Sequence, residues 1–134
     1  MTDRTPAGSA RPWPADVLER FGSAEEIEIS TRRVDGTLRG YVPIWVVAVD
    51  GDLYVRSYRG GDGAWYRHAT QHPFGAIRFG NHQREVTFTP AGGAVRPAVD
   101  AVYRAKYARY GDNYLRPMLA EPAVAATLRV IPQN

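Results

Sequence analysis

Apolar positions change period several times along this chain, and each change marks an element. In EEIEISTRR, Ile27, Ile29 and Thr31 alternate with Glu28, Ser30 and Arg32, the period of two that a half-buried strand requires. Asp35-Gly36 then supplies a hairpin signal. The partner run, Tyr41 to Val49, is apolar almost throughout, which predicts one strand covered on both faces. Pro43 interrupts it and predicts a bulge or an edge, because proline cannot donate to a ladder. Asp50-Gly51-Asp52 turns the chain into a third strand, Leu53 to Tyr58, completing a meander. Two further strands, FGAIRFG and REVTFTP, meet around Asn81 and His82, and ATLRVIP reads as the last of six.

Helical spacing appears between these runs. Val17, Leu18 and Phe21 share a face after Pro14, with Gly22 placed to close a short helix in a left-handed conformation. AWYRHATQ is helical and should stop before His72-Pro73, because the residue ahead of proline is pushed out of the α region. The longest helix places Val95, Val99, Val102, Tyr103, Tyr107 and Tyr110 on one side and meets Gly111 as a stop. A helical piece near Leu115 to Leu119 leads past Pro122 into the last strand. Residues 1–11 are too poor in apolar groups to offset ordering entropy and are expected to form a disordered leader to one domain spanning 12–134. Hairpin-linked strands in so short a chain predict a mainly β architecture with helices (α+β), an antiparallel barrel closed or half-closed to remove its edges.

Composition narrows the function classes. A formal charge of +3 is a mild excess, with Lys106 the only lysine among 17 basic residues. Basic runs interleaved with exposed aromatics do not occur, so nucleic acid is not an expected partner. The absence of cysteine excludes disulfides, thiolate nucleophiles and cysteine-ligated metals. No apolar run approaches the ~18 residues of a membrane span, and the first residues lack an apolar signal core, so a cytoplasmic location without membrane contact is expected.

Candidate chemistry concentrates in LYVRSYRGGDGAWYRH, residues 53–68. Gly60 and Gly61 let backbone N–H groups converge, the start of the following helix is partly positive, and Arg56, Arg59 and Arg67 add full charges. Together with Ser57 these could grip a phosphate or carboxylate, and on that reading Arg56→Ala and Arg59→Ala should cost little fold stability. The conformational alternative is a solvated turn in which Asp62 caps the helix and the arginines form surface pairs. Trp45 and Trp65 suit stacking on a ligand ring or, equally, packing in a core or dimer interface. Helical spacing alone accounts for the tyrosine stripe as core or interface. His68 and His72 lie four apart but lack the further ligands of a metal site, so no metal is expected. Ser57 sits in nothing like a nucleophile elbow, so hydrolase chemistry is not expected.

The segment VPIWVVAVDGDLYVRSYRGGDGAWYRHATQHPFGAIRFG resembles the central segment of the FMN-binding split-barrel superfamily, which includes pyridoxamine-phosphate-oxidase-like and deazaflavin (F420)-dependent nitroreductase-like proteins. More narrowly, AWYR, AVYRAKY and TLRVIP resemble strings of the DUF2255 family, a likeness that runs from about Phe21 to Pro132. The resemblance implies a six-stranded split β-barrel with flanking helices, a homodimer, and an interface cleft for FMN or F420 supporting oxidoreductase chemistry on a small molecule. It assigns phosphate grip to Arg56, Ser57, Arg59 and Arg67, close backbone approach to Gly60 and Gly61, and ring contact to Trp45 and Trp65. One departure is plain: Asp62-Gly63-Ala64-Trp65 stands where the oxidase branch carries a basic pair. A cofactor-free alternative keeps the cleft for ligand binding or isomerisation, with His68 and Asp62 as acid-base candidates, and a third possibility is a plain dimeric binding module.

Overall fold

The computed structural model describes residues 12–133, so the expected leader lies outside the described residues. The described residues form seven strands: β1 Ile27–Thr31, β2 Val42–Ile44, β3 Val47–Val49, β4 Asp52–Arg56, β5 Phe74–Phe79, β6 His82–Pro90 and β7 Thr127–Pro132. They form one curled antiparallel sheet in the order β2-β1-β5-β6-β7-β4-β3. Its two end strands, β2 and β3, are consecutive in the chain and separated by only Trp45 and Val46. One broken strand therefore brings the two edges of the sheet together, and the result is a split barrel.

The single strand expected over 41–49 is thus two short ones, paired on opposite sides of the split. Ile27 pairs with Ile44 and Ile29 with Val42, whereas Val47 pairs with Tyr54 and Val49 with Asp52. A twisted sheet rotates each strand against the next, and one straight segment cannot follow both β1 and β4. Pro43 sits in β2, an edge strand, where a missing donor is tolerated. Side-chain alternation nevertheless runs through the break. Ile44 and Val46 join the barrel core with Leu53 and Val55, while Trp45, Val47 and Val49 face a second core.

That second core is built by helices. The described residues form five α-helices: α1 Ala15–Ser23, α2 Ala64–Gln71, α3 Arg96–Tyr107, α4 Asp112–Leu119 and α5 Glu121–Ala125. Val17 and Phe21 of α1 and Ala69 of α2 pack into the barrel core. Val99, Tyr103 and Tyr107 of α3, with Leu115 and Met118 of α4, pack on Val47, Val49 and Tyr54. Most of the stripe is core within the chain: Tyr103 and Tyr107 are fully buried, and only Tyr110 stays exposed. Helix α5 has no counterpart in the sequence pattern, and Gly22 does not close α1, which runs on to Ser23. Gly22 instead allows close packing, because a Cβ there would lie 2.9 Å from the Cβ of Ala48. Trp13 is anchored by its indole N–H, which donates to Val130 O at 3.0 Å.

The break exposes the backbone of Val46 to the interior, and α3 satisfies it. Val46 N–H donates to the Tyr107 hydroxyl at 3.1 Å, and that hydroxyl lies 2.8 Å from Glu25 O and 3.0 Å from Val46 O. Lys106 Nζ donates to Val46 O at 2.6 Å and to Gly22 O at 2.7 Å. A buried backbone donor left without a partner costs about 1–3 kcal/mol. Tyr107→Phe should therefore lower the unfolding free energy by about 1–3 kcal/mol in urea titration, whereas Tyr110→Phe should stay within about 0.5 kcal/mol.

Candidate functional site

A cleft of about 240 Å³ opens where the two cores meet, at the break in the strand. Its lining comprises Glu26, Pro43, Ile44, Trp45, Arg56, Tyr58, Trp65, Tyr114 and Met118. Trp45 arrives on the break itself, Trp65 on the first turn of α2, Tyr58 on the loop after β4 and Tyr114 on α4. The structure therefore brings the two tryptophans singled out in the sequence to one cavity. Trp45 is held flat against Tyr107, with ring centroids 3.9 Å apart and planes within 2°, and Tyr110 closes on it at 5.3 Å. Trp65 stands at 84° to Tyr66, 6.2 Å between centroids, and packs against the barrel core.

Arg56 behaves differently from the anion-gripping residue expected of it. Its side chain is fully buried, and Nη1 lies 2.6 Å from Asp100 Oδ1. Nε donates to Thr127 Oγ1 at 2.9 Å, Nη1 to Met118 O at 2.9 Å, and Cζ lies 5.1 Å from the centre of the Tyr103 ring. The reason is its place on β4. Leu53 and Val55 point into the barrel, so Tyr54 and Arg56 point toward α3, where a charge must be matched by a partner. Arg56 pins β4 to α3, α4 and β7.

The glycine loop is equally occupied with its own fold. Gly60–Asp62 forms a 3₁₀ turn in which Gly60 N–H donates to Ser57 O, Asp62 N–H to Arg59 O and Gly63 N–H to Gly60 O. Those N–H groups do not converge on open space. Gly60 has φ +62° and lies against Pro122 of α5, where a Cβ would approach the proline carbonyl oxygen to 2.9 Å. Ser57 is buried beneath Gly63, and its hydroxyl finds no partner among the described residues. Asp62 does not cap α2: the capping position is Gly63, without a side-chain bond. Gly61, Arg59 and Arg67 are exposed.

The acid-base candidates lie apart from the cleft lining. His68 is on α2, and burial, then the charges of Arg39, Arg67 and Arg33, lower its pKa below the ordinary histidine value. His72 is outside the helix, at its C-cap with φ −144°, its ring 5.0 Å from that of Phe74. Sequence reasoning passes over Glu26, Tyr58, Tyr114 and Met118, whose positions carry no periodic signal. It also passes over Lys106, although a single lysine in an arginine-rich chain is a visible clue.

The family of uncharacterized proteins conserved in bacteria known as DUF2255 has a sequence model matching residues 17–130. The chain belongs to the DUF2255 family. No curated protein sequence matches it. Among solved structures, this DUF2255 protein is similar to an F420-H2-dependent reductase, at 19% identity, TM-score 0.58, covering 80% of this chain and 93% of that one. It is also similar to HutZ, the heme storage protein from Vibrio cholerae, at 9% identity and TM-score 0.61, with 92% of each chain covered. A FAD-binding protein from Mesorhizobium loti matches at 14% identity and TM-score 0.52, over 93% of this chain and 94% of that one. At these identities the likeness is one of fold, and these split-barrel neighbours include proteins named for F420, heme and FAD.

Two outcomes follow for this DUF2255 chain. Arg56→Ala leaves Asp100 facing a buried gap and should destabilise by on the order of 3 kcal/mol, whereas Arg59→Ala should stay within about 0.5 kcal/mol by denaturant titration. Burial pushes the Lys106 amine down to about 8. Above pH 8 the folded chain has released a proton that the unfolded chain still holds, so the burial penalty is present below pH 8 and relieved as pH rises toward the ordinary lysine range. Because Lys106 is the only lysine, ¹³Cε-lysine labelling should give one side-chain signal titrating near 8.

Proposed function

We propose that this split barrel binds a small molecule by taking a flat conjugated ring between Trp45 and Trp65. The observation that carries the reading is that both indoles line one cleft and that Trp45 is already held flat by Tyr107. Fixed aromatic faces receive a ring without ordering side chains first, which lowers the cost of binding. The fold neighbours named for F420 and FAD support a ring of the flavin or deazaflavin class, FMN or F420. The ring end of such a cofactor fits the residues present. Its phosphate end does not fit Arg56, already engaged by Asp100, or Ser57, buried beneath Gly63. Arg59 and Arg67, exposed on the loop and on α2 beside Tyr58 and Trp65, are the side chains left to hold it.

A bound flavin or deazaflavin supplies hydride transfer, and the reaction class in this reading is oxidoreduction of a small organic substrate. The chain contributes stacking through Trp45 and Trp65, exclusion of water by Ile44 and Met118, and polar edges at Tyr58 and Tyr114. A second reading, a ligand-binding cleft without a cofactor, is favoured by one observation: the arginine at the cleft is already neutralised by Asp100. We also propose a homodimer. Val42, Phe74 and Phe79 are exposed at 37%, 37% and 39%, and a fold neighbour, 18% identical with TM-score 0.58, is described as a domain-swapped dimer. No helix among the described residues is long and apolar enough to cross a membrane.

Absorbance of the freshly purified protein and thermal shifts with FMN, FAD and F420 separate the two readings. A ligand at a hundredfold its Kd adds about 2.7 kcal/mol, on the order of ten degrees for this size of chain. Trp65→Ala should abolish the shift. A colourless protein with no shift for any cofactor would sink the redox reading. Light scattering at micromolar concentration should report a dimer, and a mass near 15 kDa would contradict it.

A further inference from the structure

The electrostatics of the cleft say more than its shape. Four of its lining side chains are aromatic: Trp45, Tyr58, Trp65 and Tyr114. Aromatic faces carry the negative lobe of a quadrupole and attract a cation placed over them. Two of the four, Tyr58 and Tyr114, are 60% and 63% exposed. They stand at the cleft as apolar surface in water, where a ligand that covered them would gain from their burial.

Formal charge points the same way. The lining contains one cation and one anion, Arg56 and Glu26. Arg56 is matched 2.6 Å away by Asp100, so its charge is largely cancelled before any ligand arrives. Glu26 is exposed, and none of the ion pairs among the described residues engages it. Glu26 borders the same cavity as Trp45. Net of the buried pair, the cavity lining presents one carboxylate and four aromatic side chains. An anionic group placed inside the cleft would meet repulsion from Glu26, so the phosphate end of a cofactor belongs outside it, at Arg59 and Arg67.

We infer that the substrate of this cleft is a small organic cation, an alkylated ammonium or an N-alkylated heteroaromatic ring. Trp45, Tyr58, Trp65 and Tyr114 supply its aromatic enclosure and Glu26 its counter-charge. The inference rests on the proposed reading only in taking this cleft as the ligand site, and it belongs to the cofactor-free reading, because a flavin ring between Trp45 and Trp65 would fill the same space. A volume of about 240 Å³ accommodates a trimethylammonium group with a short substituent.

The test uses choline and its neutral isostere 3,3-dimethylbutan-1-ol, which share shape and differ in charge, titrated into the full-length protein without added cofactor. The readout is the indole N–H region of ¹H–¹⁵N spectra. The chain has three tryptophans, and Trp13, whose indole is bonded to Val130 O, serves as the internal reference. Choline should shift the signals of Trp45 and Trp65, leave Trp13 in place, and bind roughly tenfold more tightly than the alcohol. Glu26→Gln should weaken choline by about fivefold and leave the alcohol unchanged, because it removes charge and keeps shape. Tyr114→Ala, at an exposed position, should weaken choline without disturbing the fold. Equal affinity for the two compounds, or unmoved Trp45 and Trp65 signals, would overturn the inference. Choline binding alongside a failure of every cofactor to shift the melting midpoint would dispose of the redox reading alone. Cofactor binding without choline binding would dispose of the cation alone.

Discussion

Everything distinctive in this molecule depends on two backbone groups, the N–H and C=O of Val46. A strand that must pair with β1 at one end and β4 at the other has to break, and the break strands a peptide in an apolar interior. Buried peptide groups are almost always paired. Here the partners are side chains, the hydroxyl of Tyr107 and the amine of Lys106, delivered from α3 across about sixty residues of chain. The demand for those bonds fixes where α3 lies. With α3 in place, the ring of Tyr107 becomes the surface on which Trp45 stacks, and the cleft acquires one of its walls. Backbone satisfaction and ligand-site geometry are the same piece of structure.

Arg56 has a comparable role on the neighbouring strand. A full charge facing α3 must be matched, and Asp100, Thr127 and the carbonyl of Met118 together match it. Such a pair is not a large net source of stability, since desolvating both ions costs about as much as their attraction returns. Its effect is geometric. It holds α4 against the sheet, which sets Tyr114 and Met118 at the cleft, and it withdraws positive charge from the cavity. The cleft is therefore more electron-rich than its residue list suggests.

Much of the fold was legible because it is written in period. The alternation of Ile27 and Ile29, the Asp35-Gly36 turn, the His72-Pro73 stop and the stripe from Val99 to Tyr107 on α3 reappear where periodicity puts them, while Val95 and Tyr110 fall in 3₁₀ turns at either end of that helix. The break at Trp45-Val46 was not legible, because alternation continues straight through it: Ile44 and Val46 face inward and Trp45 and Val47 outward, as in one strand. What breaks the strand is the divergence of its partners, a property of the closed sheet rather than of the segment. The site shows the same division. Trp45 and Trp65 could be nominated from residue type and neighbourhood, and they do share a cavity. Arg56 could not be told from Arg59 by composition, because which face of β4 meets a helix depends on α3, forty residues later. Glu26 and Tyr114 belong to no motif at all and gain their meaning only from the folded seam.

The account is tested most directly by native-state hydrogen exchange at the Val46 amide. Val46 lies outside every strand, so a ladder cannot protect it. If Tyr107 anchors the break, that amide should exchange only through large-scale unfolding, as slowly as those of Leu53 and Val55 in the barrel core. Exchange at the pace of an exposed turn such as Gly36 would show that the break is open, and that α3 does not hold the strand or the cleft beside it.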